Sequence, residues 1–200
     1  MCRPPGAGRV PATGPDPPVP GEGPPVYATV HTSSTPPDPR PPVGAAGSVV
    51  LAAPDGPGGT VLALWPDPPP APGDGGRVYR VTDVFTGRAA GRRPLYAQVT
   101  WLNGDGDPVR ADAAEHGGRD RIWPAVRDVE GIVETLALRS DDDRLLVVAL
   151  ATGRETHTAV QRTIATTPLL PDEDPALLPG ADRVDLVRVL SADLPTAVHP

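Results

Sequence analysis

The sequence predicts an α+β protein whose dense secondary structure lies in its second half, as strands and helices in the order β-α-β-β-α-β. Three observations predict it. Of the 30 prolines, 21 fall in residues 1–75 and 9 in the remaining 125; proline fixes φ and removes a backbone donor, which keeps it out of helix interiors and central strands. Residues 95–102 (LYAQVTWL) bring β-branched and aromatic residues together with the period-two spacing of a strand, and 183–190 (RVDLVRVL) reads as a last strand. Between them, two stretches change to the 3.6-residue period of helices.

In the first strand, Leu95, Ala97, Val99 and Trp101 point one way and Tyr96, Gln98, Thr100 and Leu102 the other, until the turn residues NGDGDP at 103–108 stop it. Over residues 111–129, Ile122, Ala125, Val126 and Val129 form one helical stripe. Gly117, Gly118 and Pro124 interrupt it. Either one helix is kinked at Pro124, or a short turn over 111–116 precedes a second helix from about Arg119. Gly131 is placed as the stop. Residues 132–139 are the second strand and 140–143 (SDDD) a hairpin loop. The continuous apolar run 145–150 (LLVVAL) reads as a strand covered on both faces. Thr152 and Glu155 have the spacing of a capping box opening a helix with Thr156, Ala159, Val160, Thr163 and Ile164 on one face. Residues 168–175 (PLLPDEDP) break it before the last strand.

With right-handed crossovers this order gives a ferredoxin-like unit, a four-stranded antiparallel sheet with both helices on one face. The other face still needs a partner. The first half supplies a candidate. Residues 25–30 (PVYATV) match 94–99 (PLYAQV), the pair 47–53 and 60–64 has the layout of 131–139 and 145–150, and 77–81 (RVYRV) matches 183–187 (RVDLV). Where the second copy has helices, the first has short proline-rich stretches. The expected organisation is a disordered Pro/Gly-rich tail over residues 1–24, a degenerate strand-only copy over 25–87, and a ferredoxin-like α+β domain over 88–195. If the first copy completes the architecture the chain is a monomer with a fused pseudo-dimer; if not, the bare sheet face drives a homodimer.

This pattern resembles the dimeric α+β barrel superfamily, in particular the antibiotic-biosynthesis-monooxygenase-like domains. The strand 95–102, the RDRIWPAV helix at 119–126, Gly131, the second helix and the strand 183–190 carry the resemblance over about half the chain. It implies a barrel formed between two ferredoxin-like sheets. That fold hosts cofactor-free monooxygenases, haem-degrading enzymes, dehalogenases, isomerases and domains without known activity, so it does not by itself give a function. Quinone-forming and haem-degrading members use an Asn, a Trp, and an Arg or His around the pocket. Their catalytic residues do not fall on this chain as a motif.

The residues that answer to such chemistry are Asn103 and Arg119 as donors to a developing oxyanion and His116 as a proton acceptor. Trp101, Trp123 and Tyr96 are the aromatic groups for a flat substrate. Each has a plainer reading: Asn103 as a turn residue, Trp101 and Trp123 as core, His116 and Arg119 as exposed charges. Glu134 shares a strand face with Ile132, Leu136 and Leu138, where a carboxylate is either a titrating acid or base or the partner of an arginine such as Arg188. The four histidines are scattered, with no metal-ligand spacing, so no metal and no cofactor are expected; haem enters only as a substrate.

The formal charge of −7 disfavours nucleic acid as a partner, and Arg88, Arg92 and Arg93 read as a solvated loop. No apolar run is long enough to span a bilayer, and the N-terminus lacks a signal-peptide core, so a cytoplasmic protein away from membranes is expected. Cys2 is the sole cysteine. All 18 basic residues are arginine, the codon usage of a GC-rich, actinobacterial genome. Three functions follow: a cofactor-independent monooxygenase-like enzyme acting on an aromatic, polyketide-like molecule; a non-catalytic small-molecule-binding or assembly domain; and an interaction module using the proline-rich segment.

Overall fold

In the computed structural model, which describes residues 27–73 and 75–194, eight strands close into one antiparallel barrel. The first half contributes β1 (Tyr27–Ser33), β2 (Gly47–Ala52), β3 (Gly59–Trp65) and β4 (Gly76–Thr86). The second contributes β5 (Tyr96–Leu102), β6 (Ile132–Arg139), β7 (Leu145–Ala151) and β8 (Arg183–Asp193). Around the barrel the order is β1-β3-β2-β8-β5-β7-β6-β4. Each half therefore arranges its own strands fourth, first, third, second, the ferredoxin-like order. The halves join where β2 pairs with β8 and β4 with β6. Closure leaves no sheet edge. The expected tail over residues 1–24 lies outside the described residues.

Alternation sends one set of side chains inward. Ala97 and Val99 of β5, Leu136 and Leu138 of β6, and Leu146, Val148 and Leu150 of β7 meet Leu51, Leu62 and Leu64 of the first half in one packed core. The bare face of the second sheet is thus covered within the same chain. In the first half, the segment between β1 and β2 runs where the second half has a helix. Pro37 crowds Gly59, a Cβ on Gly59 would stand 2.8 Å from the Pro37 ring, and the Pro39 carbonyl accepts from Ser191 Oγ. Proline supplies compact apolar cover without needing helical hydrogen bonds.

The first crossover of the second half is α1 (Pro108–His116), a π-helical turn (Gly117–Ile122) and α2 (Trp123–Val126), one continuous right-handed run. Asp107 caps α1, accepting from the Val109 and Arg110 amides. The π turn resolves the conflict raised by Pro124: the Trp123 amide reaches back to the Gly118 carbonyl, a five-residue step, and the helix resumes with proline in its first turn, where no donor is needed. The second crossover is α3 (Arg154–Thr166). Its capping box does not form. Gly153 occupies the cap with no side-chain bond, while Thr152 Oγ1 turns to the Gly131 carbonyl at 3.5 Å. Gly131 opens the β6 hairpin at φ +89°, and a Cβ there would lie 2.2 Å from Thr156 Oγ1. Only glycine lets α3 seat this closely.

Candidate active site between the sheet and its helices

The outer face of β5, β7 and β6 carries short side chains: Thr100, Val147, Ala149, Thr135 and Ala137. They do not fill the layer between sheet and helices. A cavity of about 780 Å³ results, roofed by the π turn, α2, α3 and residues 177–182. That volume falls within the roughly 300–1,000 Å³ of small-molecule sites.

Two β-bulges decide what faces the cavity. The β4–β6 register slips between Val81 and Asp83. Strict alternation would leave Asp83 and Phe85 on the barrel side with Val81. The extra residue instead keeps Val81 and Val84 against the core and turns Asp83 and Phe85 outward to the cavity. There Phe85 stacks on Trp123, ring centroids 5.0 Å apart. Asp83 takes a two-pronged bond from Arg119, at 3.0 Å to Nε and 2.7 Å to Nη2, which raises the Arg119 pKa. The second slip lies between Ile132 and Glu134. Val133 enters the core and Ile132 lines the cavity, so Ile132 does not share a face with Leu136 and Leu138 as strict alternation required. Glu134 is half-buried and is not among the cavity-lining residues.

The other candidates divide. Trp123, Arg119 and Asn103 line the cavity together. Asn103, at φ +57°, is the turn residue that ends β5. Its Nδ2 donates to the carbonyls of Asp107 (2.8 Å) and Asp143 (2.7 Å), so both donor hydrogens are engaged within the protein. Its buried Oδ1 has no partner, so the hydrogen-bonding capacity Asn103 has left is that of an acceptor and not of a donor. Trp101 packs against the barrel core under the Arg183 guanidinium, 4.6 Å from its ring centre, away from the cavity. Tyr96 sits beneath Arg154 and does not line the cavity. His116 is 40 % exposed at the end of α1. Its Nδ1 is 2.7 Å from Asp120, and its Nε2 is within ion-pair reach of Asp172 at 3.2 Å but off the line of a hydrogen bond.

Two further acceptors belong to the site and escape a reading of the sequence. Glu115 lines the cavity with Oε2 held by Arg139 (3.2 Å) and Oε1 buried without a partner. His157 lines it from the first turn of α3 and is only 4 % exposed. Burial lowers its pKa below the ordinary value, outweighing a bond to the Tyr96 backbone and the nearby Glu155, which raise it. The imidazole is therefore neutral at pH 7. A backbone group that raises a histidine pKa is a carbonyl acceptor. Since Nε2 has no partner, Nδ1 carries the proton given to Tyr96, and Nε2 is left a buried, unprotonated acceptor. The signal for His157 is its spacing: Val160, Gln161 and Ile164 follow at i+3, i+4 and i+7, and all three line the cavity.

No protein-family profile and no curated protein sequence matches the chain at a significant level. Solved structures do match its fold. A protein of Fusobacterium nucleatum provisionally named a monooxygenase superposes with a TM-score of 0.55 at 9% identity, over 84% of this chain and 94% of its own. Another, from Lactobacillus acidophilus and named the same way, gives 0.51 at 7% identity, over 86% and 96%. The coverage takes in both halves of the barrel, and in fold this chain is a pseudo-dimeric ferredoxin-like α+β barrel of the kind those two structures share.

Proposed function

We propose that the chain binds a flat, hydroxylated aromatic molecule in the cavity and oxidises it with dioxygen as a cofactor-independent monooxygenase. The observation that carries this is the pairing of an aromatic shelf with unsatisfied acceptors. Trp123 backed by Phe85 offers a face for ring stacking. Asn103 Oδ1, Glu115 Oε1 and His157 Nε2 are buried acceptors on cavity-lining residues, each without a protein donor. A buried polar atom left unpaired costs about 1–3 kcal/mol, and a ligand bearing hydroxyl groups recovers it where a side-chain turn brings the atom to the cavity surface. The site thus asks for donors around an apolar ring system.

The reaction balances without a bound cofactor. A ring carbon flanked by aromatic rings gives up two hydrogens. One oxygen atom of dioxygen becomes the carbonyl at that carbon, and the other leaves as water with both hydrogens. The anion of the substrate supplies the electrons, and a cavity that sheds water protects it. The monooxygenase names carried by structures of the same fold agree with this reading, though fold alone does not assign it.

Thermal melting against hydroxylated polycyclic aromatics and haem tests binding, and oxygen uptake with each binder tests turnover. A ligand at a hundredfold excess over its Kd adds about 2.7 kcal/mol, a rise of roughly 5–11 °C for a domain of this size. Binding that Trp123→Ala abolishes, together with oxygen uptake, supports the proposal. Binding without uptake leaves a non-catalytic small-molecule-binding domain, and a flat panel with no uptake removes the site assignment.

A further inference from the structure

We propose that residues 168–182 are a lid over the cavity, latched to the π turn by a protonated His116 and loosened when that imidazole gives up its proton. The inference goes beyond the aromatic reading, because it holds for any occupant of the cavity.

The segment joins α3 to β8, and its second part, from Leu177 to Asp182, lines the cavity. It is tied down at two ends. At one, the Asp182 amide donates to the Trp101 carbonyl at 2.9 Å, and the Asp182 carboxylate accepts from the Gly104 amide at 2.8 Å. At the other, Glu173 takes the Arg121 guanidinium and Asp172 stands 3.2 Å from His116 Nε2. Between these ends a 3₁₀ turn (Pro175–Leu177) packs against α1. Its amide bonds, from Leu177 to the Asp174 carbonyl and from Leu178 to that of Pro175, stay within the segment. What the two ends grip therefore decides how readily the arch lifts.

The grip at His116 depends on its charge. Nδ1 lies 2.7 Å from the Asp120 carboxylate on the π turn, while Nε2, buried and without a hydrogen bond, faces Asp172 on the lid. A neutral imidazole has one N–H. Given to Asp120, that hydrogen leaves a lone pair on Nε2 against a second carboxylate, and the contact pushes the lid away. With both nitrogens protonated the same contact is an ion pair. The other charges around the ring are engaged elsewhere. On α1 and the π turn, Asp112 and Glu115 hold Arg139, Arg119 holds Asp83, and Arg121 holds Glu173. Asp174 caps the 3₁₀ turn. Among the described residues, Asp120 and Asp172 have His116 as their only ion-pair partner. A pair as exposed as this one shifts an equilibrium about fivefold.

Amide hydrogen exchange of the full chain in low salt, corrected for the intrinsic effect of pH, reads the latch. The Leu170, Glu173, Leu177 and Leu178 amides are bonded within the lid. They are expected to exchange about fivefold faster at about pH 8.5 than at about pH 5.5, while the Val99 amide in β5 does not change. Asp172→Asn takes away the carboxylate facing Nε2 and is expected to remove the pH dependence. His116→Arg keeps a cation there and is expected to hold the lid closed at both values. Access to the cavity is a separate readout. Ala149→Cys on the cavity wall, in a Cys2→Ser background, is treated with a methanethiosulfonate reagent at about pH 8.5. Adding His116→Arg is expected to slow that modification about fivefold. Equal exchange at the two pH values, or a pH dependence that survives Asp172→Asn, overturns the latch. Equal modification with and without His116→Arg overturns the lid.

Discussion

Replacing Glu173 by glutamine should destabilise the protein far more than a loop substitution ordinarily does. Glu173 lies in the loop before β8, and its side chain is 2 % exposed. Arg121, itself only 13 % exposed, reaches it at 2.7 Å, and the Leu170 amide donates to Oε2 at 2.7 Å. Burial alone would raise the Glu173 pKa, but the bonds from Arg121 and Leu170 outweigh it and the net direction is down. Glutamine keeps one acceptor oxygen, turns an NH2 toward a cation, and leaves the Arg121 charge uncompensated. Breaking a buried pair on one side costs about 3–5 kcal/mol. Because Arg121 retains some solvent, the lower end applies, about 3 kcal/mol, which lowers Tm by roughly 6–12 °C at this chain length. Thermal unfolding followed by circular dichroism reads it directly. The double variant Glu173→Gln with Arg121→Met should recover most of the loss, since no charge is then stranded. With the folded pKa depressed, the stabilisation from Glu173 is full above its unfolded value and is lost as pH falls through the folded value, so the gap between wild type and Glu173→Gln should shrink in acid. A single variant melting within about 2 °C of wild type, or a double variant as unstable as the single, would refute this account of the loop.

Gly131→Ala should cost about 2–5 kcal/mol, from left-handed backbone strain and from the overlap of the new Cβ with Thr156 Oγ1, 2.2 Å away. Denaturant midpoints for this variant with and without Thr156→Ala should show strong coupling, because the second change removes the overlap but not the strain. Asp142 has its pKa lowered to about 2, first by the Ser140 hydroxyl at 2.6 Å and then by Arg77. Ser140→Ala should raise that midpoint in a carboxyl-carbon NMR titration, and the acid loss of its stabilisation, which occurs as pH falls through the folded value, should move to higher pH.

How much of this was legible in the sequence depends on the kind of interaction that fixes each element. The eight strands were legible because one-faced burial imposes a period of two, and residues 132–139 coincide with β6. Trp123 was legible as an aromatic candidate on a helix that covers the sheet, and it lines the cavity. The bulges in β4 and β6 were not legible. Each is one extra residue whose position is set by pairing across the barrel, and no local pattern marks it. Thus the sequence hid Asp83 and Phe85 from the site and placed Ile132 with the wrong neighbours. Thr152 and Glu155 had the capping spacing, but the close approach of Gly131 drew the Thr152 hydroxyl elsewhere. Asn103 read correctly as a turn residue, and only its hydrogen-bond count shows that its amide donors are engaged. His157 lay in a helix without any motif, and its burial beside the Tyr96 backbone, distant in sequence, left no local mark.

The proline-rich cover of the first half has a bearing on stoichiometry. A barrel of two identical units carries two helical roofs and two equivalent cavities. Among the described residues helices roof only the second sheet, and β4 of the first half serves the cavity beneath them by lending it Asp83 and Phe85. Each chain is thereby asymmetric, with the cavity built on the second half and completed by one strand of the first. Saturation at one aromatic molecule per chain, rather than two, is the number that a calorimetric titration would return.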